Sequence, residues 1–310
     1  MTAGFSDVEL FDVRPTNQCG QKPCAWGVAP YKEYQRLASK FLEPDEYRIA
    51  FRDNIVIDGV RLKADMTIID KPRLIHDLVQ DAEVHLGPIP LDAFERVVDA
   101  TGVERAYLGP AIGPELIADC VQYRVRSEAD LGLWFKTTGL GYEWCFPLGD
   151  GEFHMGFGNL AADMDSYRPL ATMGEAQAAY KPRCKCRSRV RLSSPFYSRP
   201  FTNGKVVGVG ESIGSVGPLG ADGNLYAMQC AELLIDHWDD LRRYESSVLK
   251  KYDWMRRERE ALEKMVKGRV PPLRDVRVFT SHSKRVGIEL GPVQALQLFK
   301  RAIDTSRGRS

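Results

Sequence analysis

The segment from Val206 to Trp238 constrains the fold of this 310-residue chain more than any other stretch. A short apolar strand over 205–209 leads into a glycine-rich loop over 210–223, and apolar residues at helical spacing follow from Leu225. Backbone amides at a helix N-terminus attract anions, which approach closely where glycine removes side chains. The pattern therefore predicts a loop that binds a phosphate or a polarised cofactor ring, or else a glycine turn that only serves packing.

Strand and helix signals alternate in the first hundred residues, as they do in an α/β layer. A strand over 8–11 ends at Asp12, a helix is expected from about Arg73, and a strand over 94–98 ends at Asp99. The first strand needs neighbours on both sides, and the residues before it resemble the tail of a helix. We therefore expect the chain to begin inside a βαβ unit whose first strand and turn are missing.

Residues 123–158 are rich in β-favouring aromatic side chains between glycine-containing turns, which predicts an antiparallel sheet. Three of them, Tyr142, Trp144 and Phe146, lie on one face of a strand because side chains alternate with a period of two. Gly156 and Gly158 on a facing strand would leave room beside this aromatic wall. The wall is either a plain sheet core or one side of a long apolar pocket for a hydrocarbon chain.

Strict alternation also marks the segment from 183 to 192 and places its cationic side chains on one strand face. These residues are Arg183, Lys185, Arg187, Arg189 and Arg191. The face is either a solvated outer surface or a landing site for an anion, such as a phospholipid head group or a flavin pyrophosphate.

Charge and cysteine content exclude several classes of protein. Lys plus Arg number 43 against 42 Asp plus Glu, so nothing global indicates nucleic-acid binding. Apolar runs fall short of the roughly 18 residues of a membrane span, and the N-terminus lacks signal-peptide features. A cytoplasmic protein is expected, with peripheral membrane contact as an alternative. Seven cysteines at irregular spacing do not predict a disulfide framework, and no second Cys or His pair joins Cys184 and Cys186 in a metal site.

Two motifs resemble those of the geranylgeranyl reductase family. Tyr-x-Trp-x-Phe-Pro from Tyr142 to Pro147, followed after eight residues by Gly-x-Gly, resembles the family's substrate-cavity signature and carries every fixed position. The loop from Gly208 to Met228 resembles the family's second flavin motif, with Glu211 in place of the usual Asp.

Weaker matches fall in the same order along the chain, and the resemblance covers roughly residues 5–240. Asp12 resembles the acidic residue that receives the adenosine ribose, and Lys22-Pro23-Cys24 resembles a segment beside the flavin ring. Arg73 resembles the residue that opens a cofactor-facing helix, and residues 100–102 resemble the family's Ala-Thr-Gly turn. The implied cofactor-binding residues are Asp12, Lys22, Arg73, Gly210, Glu211, Pro218, Gly220 and Gly223. The implied substrate-binding residues are Tyr142, Trp144, Phe146, Pro147, Gly156 and Gly158.

The resemblance implies an α/β (α+β) flavoprotein fold like that of para-hydroxybenzoate hydroxylase. A partial FAD-binding Rossmann-like domain would span 1–122, without the usual first βα unit and its Gly-x-Gly-x-x-Gly turn. An antiparallel substrate domain would span 123–200, a second FAD-binding segment 201–240 and a helical region 241–310. The absent turn indicates either a start-site error or a natural short form.

The implied activity is reduction of prenyl C=C bonds by FAD, with electrons from ferredoxin or NAD(P)H and a prenyl lipid or isoprenoid as substrate. Cys24 is the candidate for placing or supplying the proton, and no histidine is assigned a role. Two alternatives stay open: another flavoenzyme of this fold, such as a monooxygenase or halogenase, and a prenyl-lipid binder without FAD or catalysis.

Overall fold

The computed structural model describes residues 8–12, 26–160, 181–267, 273–295 and 297–298. The strands are β1 (Leu10–Asp12), β2 (Gly27–Val28), β3 (Arg48–Ile57), β4 (Val60–Ile69), β5 (Val84–Leu86), β6 (Val97–Asp99), β7 (Ile117–Arg126), β8 (Trp134–Thr137), β9 (Gly141–Gly149), β10 (Glu152–Asn159), β11 (Lys181–Arg191), β12 (Thr202–Asn203), β13 (Val206–Gly208) and β14 (Ile288–Glu289). The helices are α1 (Tyr31–Ala38), α2 (Lys71–Val79), α3 (Asn224–Asp236), α4 (Leu241–Lys251), α5 (Asp253–Val266) and α6 (Leu273–Arg285).

A large mixed sheet forms one side of the molecule. Its order is β11-β7-β10-β9-β8-β3-β4-β14, with β2 also paired to β4, and only the β3–β8 pair within it is parallel. The predicted antiparallel sheet is present, but its strands are not confined to 123–200. Strands β3 and β4 lie in the segment assigned to the cofactor domain, and β14 lies in the helical tail. Their long-range pairing leaves no local sequence signal for membership of this sheet.

Two smaller sheets carry the parallel pairs that the α/β alternation predicts. Strand β1 pairs in parallel with β5, while β13 pairs in parallel with β6 and antiparallel with β12. The buried Asp99 carboxylate ends β6 by accepting hydrogen bonds from the backbone amides of Thr101 at 3.0 Å and Tyr107 at 2.9 Å. Its carbonyl accepts from Val209 N at 3.1 Å. Asp99 therefore holds the turn after β6 beside the start of the glycine loop.

The C-terminal third is helical, as its apolar spacing predicts, and residues 292–295 and 297–298 are also helical. Helix α2 begins two residues before the expected Arg73, because Asp70 caps it by accepting the Arg73 amide at 3.2 Å. None of the helices in the described segments is long and apolar enough to span a membrane.

Apolar side chains fill both faces of the large sheet. We call the face that carries Tyr142, Trp144 and Phe146 the inner face. Leu62, Met66 and Ile68 of β4 belong to the same buried cluster, and Ile288, Leu290 and Leu298 from the C-terminal region pack against it. The opposite face buries Val121, Cys145 and Met155. A separate core joins β6 and β13 to helices α3, α4 and α5.

Candidate functional site

The glycine loop (residues 210–223) connects β13 to α3, as predicted. Gly210 and Gly214 adopt positive φ angles of 65° and 76°, which L side chains rarely adopt. A Cβ on Gly208 would lie 2.4 Å from Leu108 Cδ1, so this glycine serves close packing. Gly223 occupies the N-cap of α3 and provides no capping side chain, so the first amides of this helix face the loop. Part of the glycine content therefore has a packing role, and the rest shapes a helix N-terminus.

Glu211 meets the turn after β6. Its Oε1 accepts the Arg191 amide at 2.8 Å, and a Cβ built on Gly102 would lie 3.1 Å from its Oε2. Burial raises the pKa of Glu211, while the hydrogen bond and charge of Arg191 and the charge of Lys71 lower it in part. The structure thus brings together the Ala-Thr-Gly turn and the second glycine motif, which lie about a hundred residues apart in the sequence.

Lys71 is a site residue that the sequence reasoning missed. Its Nζ donates to Asn224 Oδ1 at 2.9 Å, at the first residue of α3, and its charge acts on Glu211. The predicted Arg73 lies on the same helix but donates to the Glu46 carbonyl at 3.0 Å, with its guanidinium over the Tyr47 ring. Helix α2 therefore turns Lys71, rather than Arg73, toward the glycine loop.

The remaining predicted cofactor residues lie in the N-terminal segment. Asp12 is the last residue of β1, opposite Leu86, and its carbonyl accepts the Gly87 amide at 3.1 Å. Lys22 and Cys24 lie outside the described residues. Trp26, which follows them, is buried, and its ring meets that of His154 edge-on at 4.6 Å between centroids.

The aromatic wall lies on the inner face as expected. The Tyr142 and Trp144 rings are 5.8 Å apart, and Phe135 joins Phe146 at 5.6 Å. Gly156 pairs with Trp144 across the strands, and a Cβ there would lie 2.1 Å from Trp144 Cζ2. The room that Gly156 leaves is therefore filled by the indole, whose orientation is fixed by a hydrogen bond to Gln122 Oε1 at 3.1 Å.

The other two residues of the predicted motif differ in position. Gly158 pairs with Tyr142, and a Cβ there would lie 3.0 Å from Cys120 Sγ. Burial raises the pKa of Cys120 to about 12, so this thiol adds a neutral surface beside the wall. Pro147 pairs with Phe153 and is also buried, but strand alternation turns it away from the inner face.

The wall and the glycine loop touch each other. Tyr142 donates its hydroxyl to the Gly220 carbonyl at 2.5 Å. Burial raises the pKa of Tyr142, which keeps the phenol protonated as a donor at neutral pH. At the same end of the inner face, Val216 and Leu219 of the loop pack in one apolar cluster with Ala118. The structure therefore juxtaposes the two strongest sequence motifs, which come from different sheets.

The cationic strand follows the alternation over Lys185, Arg187 and Arg189, while the pairing register shifts at Arg183, whose side chain lies outside the described residues. Lys185, Arg187 and Arg189 are exposed, and Arg189 pairs with Glu104 at 3.1 Å. Arg191 is buried instead, forms an ion pair with Glu115, and donates to the Val103 carbonyl. The prediction of one cationic face is thus wrong for Arg191, because β11 ends there against the turn after β6.

Comparison with known proteins gives distant relatives, and no family model matches the chain. An uncharacterised protein of Methanocaldococcus jannaschii is 30% identical over 134 residues, which cover 40% of this chain and 36% of that protein. Digeranylgeranylglycerophospholipid reductase 2 of Methanothermobacter thermautotrophicus is 27% identical over 193 residues, or 56% of this chain and 49% of the reductase. The chain thus spans about half or less of the length of these curated relatives.

Solved structures of flavoproteins share the fold. A geranylgeranyl bacteriochlorophyll reductase-like protein of Thermoplasma acidophilum has a TM-score of 0.66 and 16% identity, covering 83% of this chain and 81% of that one. Klebsiella pneumoniae HpxO, solved with FAD and uric acid, has a TM-score of 0.53 and 14% identity, covering 86% and 84%. A flavin-dependent halogenase, CmlS, has a TM-score of 0.53 and 15% identity, covering 95% and 65%.

These comparisons confirm the predicted fold class and the resemblance to geranylgeranyl reductases. The chain has the α/β fold of FAD-dependent oxidoreductases and monooxygenases. The identities of the residues that bind a cofactor or a substrate stay predictions.

Proposed function

We propose that this chain is an FAD-dependent oxidoreductase that reduces C=C bonds of prenyl chains. The observation that carries the proposal is the contact between Tyr142 and the Gly220 carbonyl, which joins an apolar wall to the glycine loop. In α/β folds, ligands bind at the carboxyl ends of parallel strands. The glycine loop follows such an end, after β13, and the turn over 100–102 follows the neighbouring end, after β6.

The residues at this edge fit a flavin. The first turn of α3 presents amides without a capping side chain, and Glu211 lies half-buried beside Gly102. In this proposal Gly210, Glu211, Pro218, Gly220 and Gly223 contact the cofactor, together with Lys71. Asp12 would receive the ribose, with Lys22 and Cys24 beside the ring.

Bound FAD, once reduced, supplies a hydride for the alkene. The wall residues Tyr142, Trp144 and Phe146 would hold the prenyl chain in a fixed orientation beside the loop. Their large apolar area would exclude water, and this exclusion would favour reduction of the alkene over competing reactions of the reduced flavin. The hydrogen bond from the Tyr142 hydroxyl to the Gly220 carbonyl would hold the wall at a fixed position relative to the glycine loop during turnover.

The wall and the relatives support a prenyl chain as the substrate class. A long hydrocarbon suits three consecutive inner-face aromatics, and one distant relative carries the name of a digeranylgeranylglycerophospholipid reductase. The exposed Lys185, Arg187 and Arg189 lie on edge strand β11, on the face of the sheet opposite the wall, and would contact anionic lipid head groups at a membrane surface. Ferredoxin or NAD(P)H would supply the electrons.

The test begins with the visible spectrum of the purified chain after incubation with FAD and removal of free flavin. Bound flavin supports the proposal, while a colourless protein that still binds prenyl lipid would favour a binding role. The loaded chain is then reduced without oxygen and mixed with digeranylgeranylglycerophospholipid. A mass gain of about 2 Da for each reduced bond is expected, from the hydride and the proton added. Product formation that requires oxygen would instead indicate a monooxygenase.

The matched variants are Trp144→Ala, which opens the wall, and Trp238→Ala, which lies at the end of α3 away from the wall. We expect the first to lose turnover while it retains bound FAD. We expect the second to retain both. Equal turnover of the two variants would exclude the wall from the substrate site.

A further inference from the structure

A buried polar cluster lies behind the glycine loop. It joins Asp222 of the loop and Tyr226 of α3 to Glu258 of α5, and to His282 and Arg285 of α6. No site role is predicted for these residues from the sequence. Charged groups are rarely buried unless they are paired, so a cluster of this size at a candidate site requires an explanation.

Asp222 is the member nearest the site. Its Oδ1 is buried and has no hydrogen-bond partner in the described part of the chain, while the Tyr226 hydroxyl donates to the same carboxyl group. Gly217 and Gly220 make room for this oxygen, since a Cβ on either would lie 2.2 Å or 2.6 Å from it. Burial and the charge of Glu258 raise the pKa of Asp222 to about 6, although His282 and Tyr226 oppose the rise.

His282 faces the same point from the other side. A Cβ on Gly220 would lie 2.9 Å from His282 Cε1 and 3.2 Å from its Nε2, so the imidazole edge and Asp222 Oδ1 converge there. The other ring nitrogen, Nδ1, is 3.1 Å from Glu258 Oε1. Burial lowers the pKa of His282, but the hydrogen bond and charge of Glu258, with the charge of Asp222, outweigh it and raise the pKa.

Glu258 is fixed on all sides. Its side chain is fully buried, it forms an ion pair with Arg285, and its Oε2 accepts the Leu219 amide at 3.4 Å. Arg285 in turn lies over the Trp254 ring at 4.2 Å. A carboxylate bound to one imidazole nitrogen sets the tautomer and leaves the other nitrogen free to exchange a proton. Glu258 is therefore placed to orient His282 toward Asp222.

The cluster also adjoins the aromatic wall. Gly220, which lacks the Cβ that would lie against both Asp222 and His282, is the residue whose carbonyl accepts the Tyr142 hydroxyl. The charge of Asp222 contributes to the raised pKa of Tyr142, which shows that the two side chains are near each other. The groups that face Asp222 are thus Tyr142 on β9, Tyr226 on α3, Glu258 on α5 and His282 on α6, and Arg285 of α6 pairs with Glu258 behind them.

We propose that Asp222 supplies the proton that completes alkene reduction at this site, and that His282, oriented by Glu258, returns a proton to it. The inference rests on the proposed function. Bound FAD, once reduced, would supply a hydride to one alkene carbon, and the other carbon would receive the Asp222 proton as the O–H bond breaks. The C=C π bond is lost, and Asp222 becomes a carboxylate. It then takes a proton from the His282 imidazolium, which regains one from solvent.

The first experiment needs no cofactor. In the full chain labelled with ¹⁵N-histidine, the pKa of His282 is measured by NMR, and His282→Gln identifies its signal. Asp222→Asn is expected to lower the His282 pKa by about one unit, since an opposite charge is removed. Asp239→Asn, an exposed aspartate, should leave it unchanged. An unchanged His282 titration in Asp222→Asn would overturn the pairing, whether or not the chain binds FAD.

The second experiment uses the FAD-loaded chain, reduced without oxygen and mixed with digeranylgeranylglycerophospholipid in micelles. Asp222→Asn is expected to bind FAD as before but to reoxidise about 10²-fold more slowly, as loss of a general acid predicts. Asp222→Glu should recover part of the reoxidation rate. His282→Gln should shift the pH dependence of that rate. If Asp222→Asn reoxidised at the same rate as the parent protein, the proposal would be wrong. Failure of every variant and the parent to bind FAD would instead refute the proposed function.

Discussion

The aromatic wall and the cluster behind the glycine loop are both buried, yet they bury opposite kinds of chemistry. On the wall the polar atoms of Tyr142 and Trp144 are satisfied by neutral partners at 2.5 Å and 3.1 Å. Behind the loop, Asp222 and Glu258 keep titratable carboxyls out of water. The aromatic wall, which we call the shape side of the site, therefore sets its form without charge. The cluster behind the glycine loop, which we call the charge side, holds charges and protons. A reaction between an apolar chain and a proton requires both.

The largest effect should come from breaking the charge side at Glu258. Replacement by Gln removes the anion that pairs with Arg285 and His282, and we expect the free energy of unfolding to fall by about 3 kcal/mol. Urea denaturation measures it. Glu260→Gln on the same helix is the control, because its pair with Arg256 is exposed and worth less than about 0.5 kcal/mol. Equal losses would mean that Glu258 is not an anchor.

On the shape side, substitution of Gly156 should cause the largest loss of stability. Alanine there places a Cβ against the Trp144 indole, which must move, and overpacking of this kind costs about 2 kcal/mol. The closest contact of the new Cβ in Gly158→Ala is Cys120 Sγ at 3.0 Å, and the Trp144 ring lies 3.6 Å away, so the loss of stability should be smaller. Thermal or chemical unfolding ranks the two variants, and Trp144 fluorescence should respond to the first. The reverse ranking would contradict the packing of the wall.

The charge side should also make stability depend on pH. Because the folded pKa of Asp222, about 6, exceeds its ordinary value of 3.8, the native state holds the proton more tightly between these values. Stability should then fall as pH rises from about 4 to about 6, by on the order of 2 kcal/mol. His282, with a raised pKa, adds a further fall above its unfolded value of 6.5. Denaturation of Asp222→Asn across this range should lack the first fall.

The smallest effect is expected where the two sides join. Tyr142→Phe keeps the aromatic area but deletes the hydrogen bond to the Gly220 carbonyl, which should cost about 1 kcal/mol. Prenyl-lipid binding should persist, since the wall is intact. Hydrogen exchange of loop amides reports the change, and the amides near Gly220 should exchange faster. Unaltered exchange with unaltered stability would show that the loop holds its position without the tyrosine.

Sequence predicted the shape side far better than the charge side. The period-two alternation places Tyr142, Trp144 and Phe146 on one face of their strand, whichever strands it pairs with. The high glycine content of residues 210–223 predicts the loop directly. His282 and Glu258 reach Asp222 only through the packing of α5 and α6, which no local pattern encodes. The contact of Lys71 with the first residue of α3, and of Arg73 with the Glu46 carbonyl, likewise depends on how α2 is rotated against the loop.

The strands of the large sheet show the same limit. The segment 123–158 predicts an antiparallel sheet because its strands are neighbours in sequence and in space. Strands β3 and β4 form their own hairpin but join the sheet through β8, and that contact has no sequence signature. The predicted boundary at residue 123 followed the composition of the chain, whereas the sheet follows pairings between distant segments.

Strand β14 has a consequence for how the molecule acquires its site. Ile288 pairs with Ala64, far earlier in the chain, and Ile288, Leu290 and Leu298 then cover apolar side chains of the inner face. Such distant pairings close late in folding, after local hairpins have formed. A ribosome-bound chain that still lacks these residues would expose the apolar side chains of the inner face to solvent. Nascent molecules should therefore depend on chaperones until β14 docks, and truncation within β14 should cause aggregation before it affects chemistry.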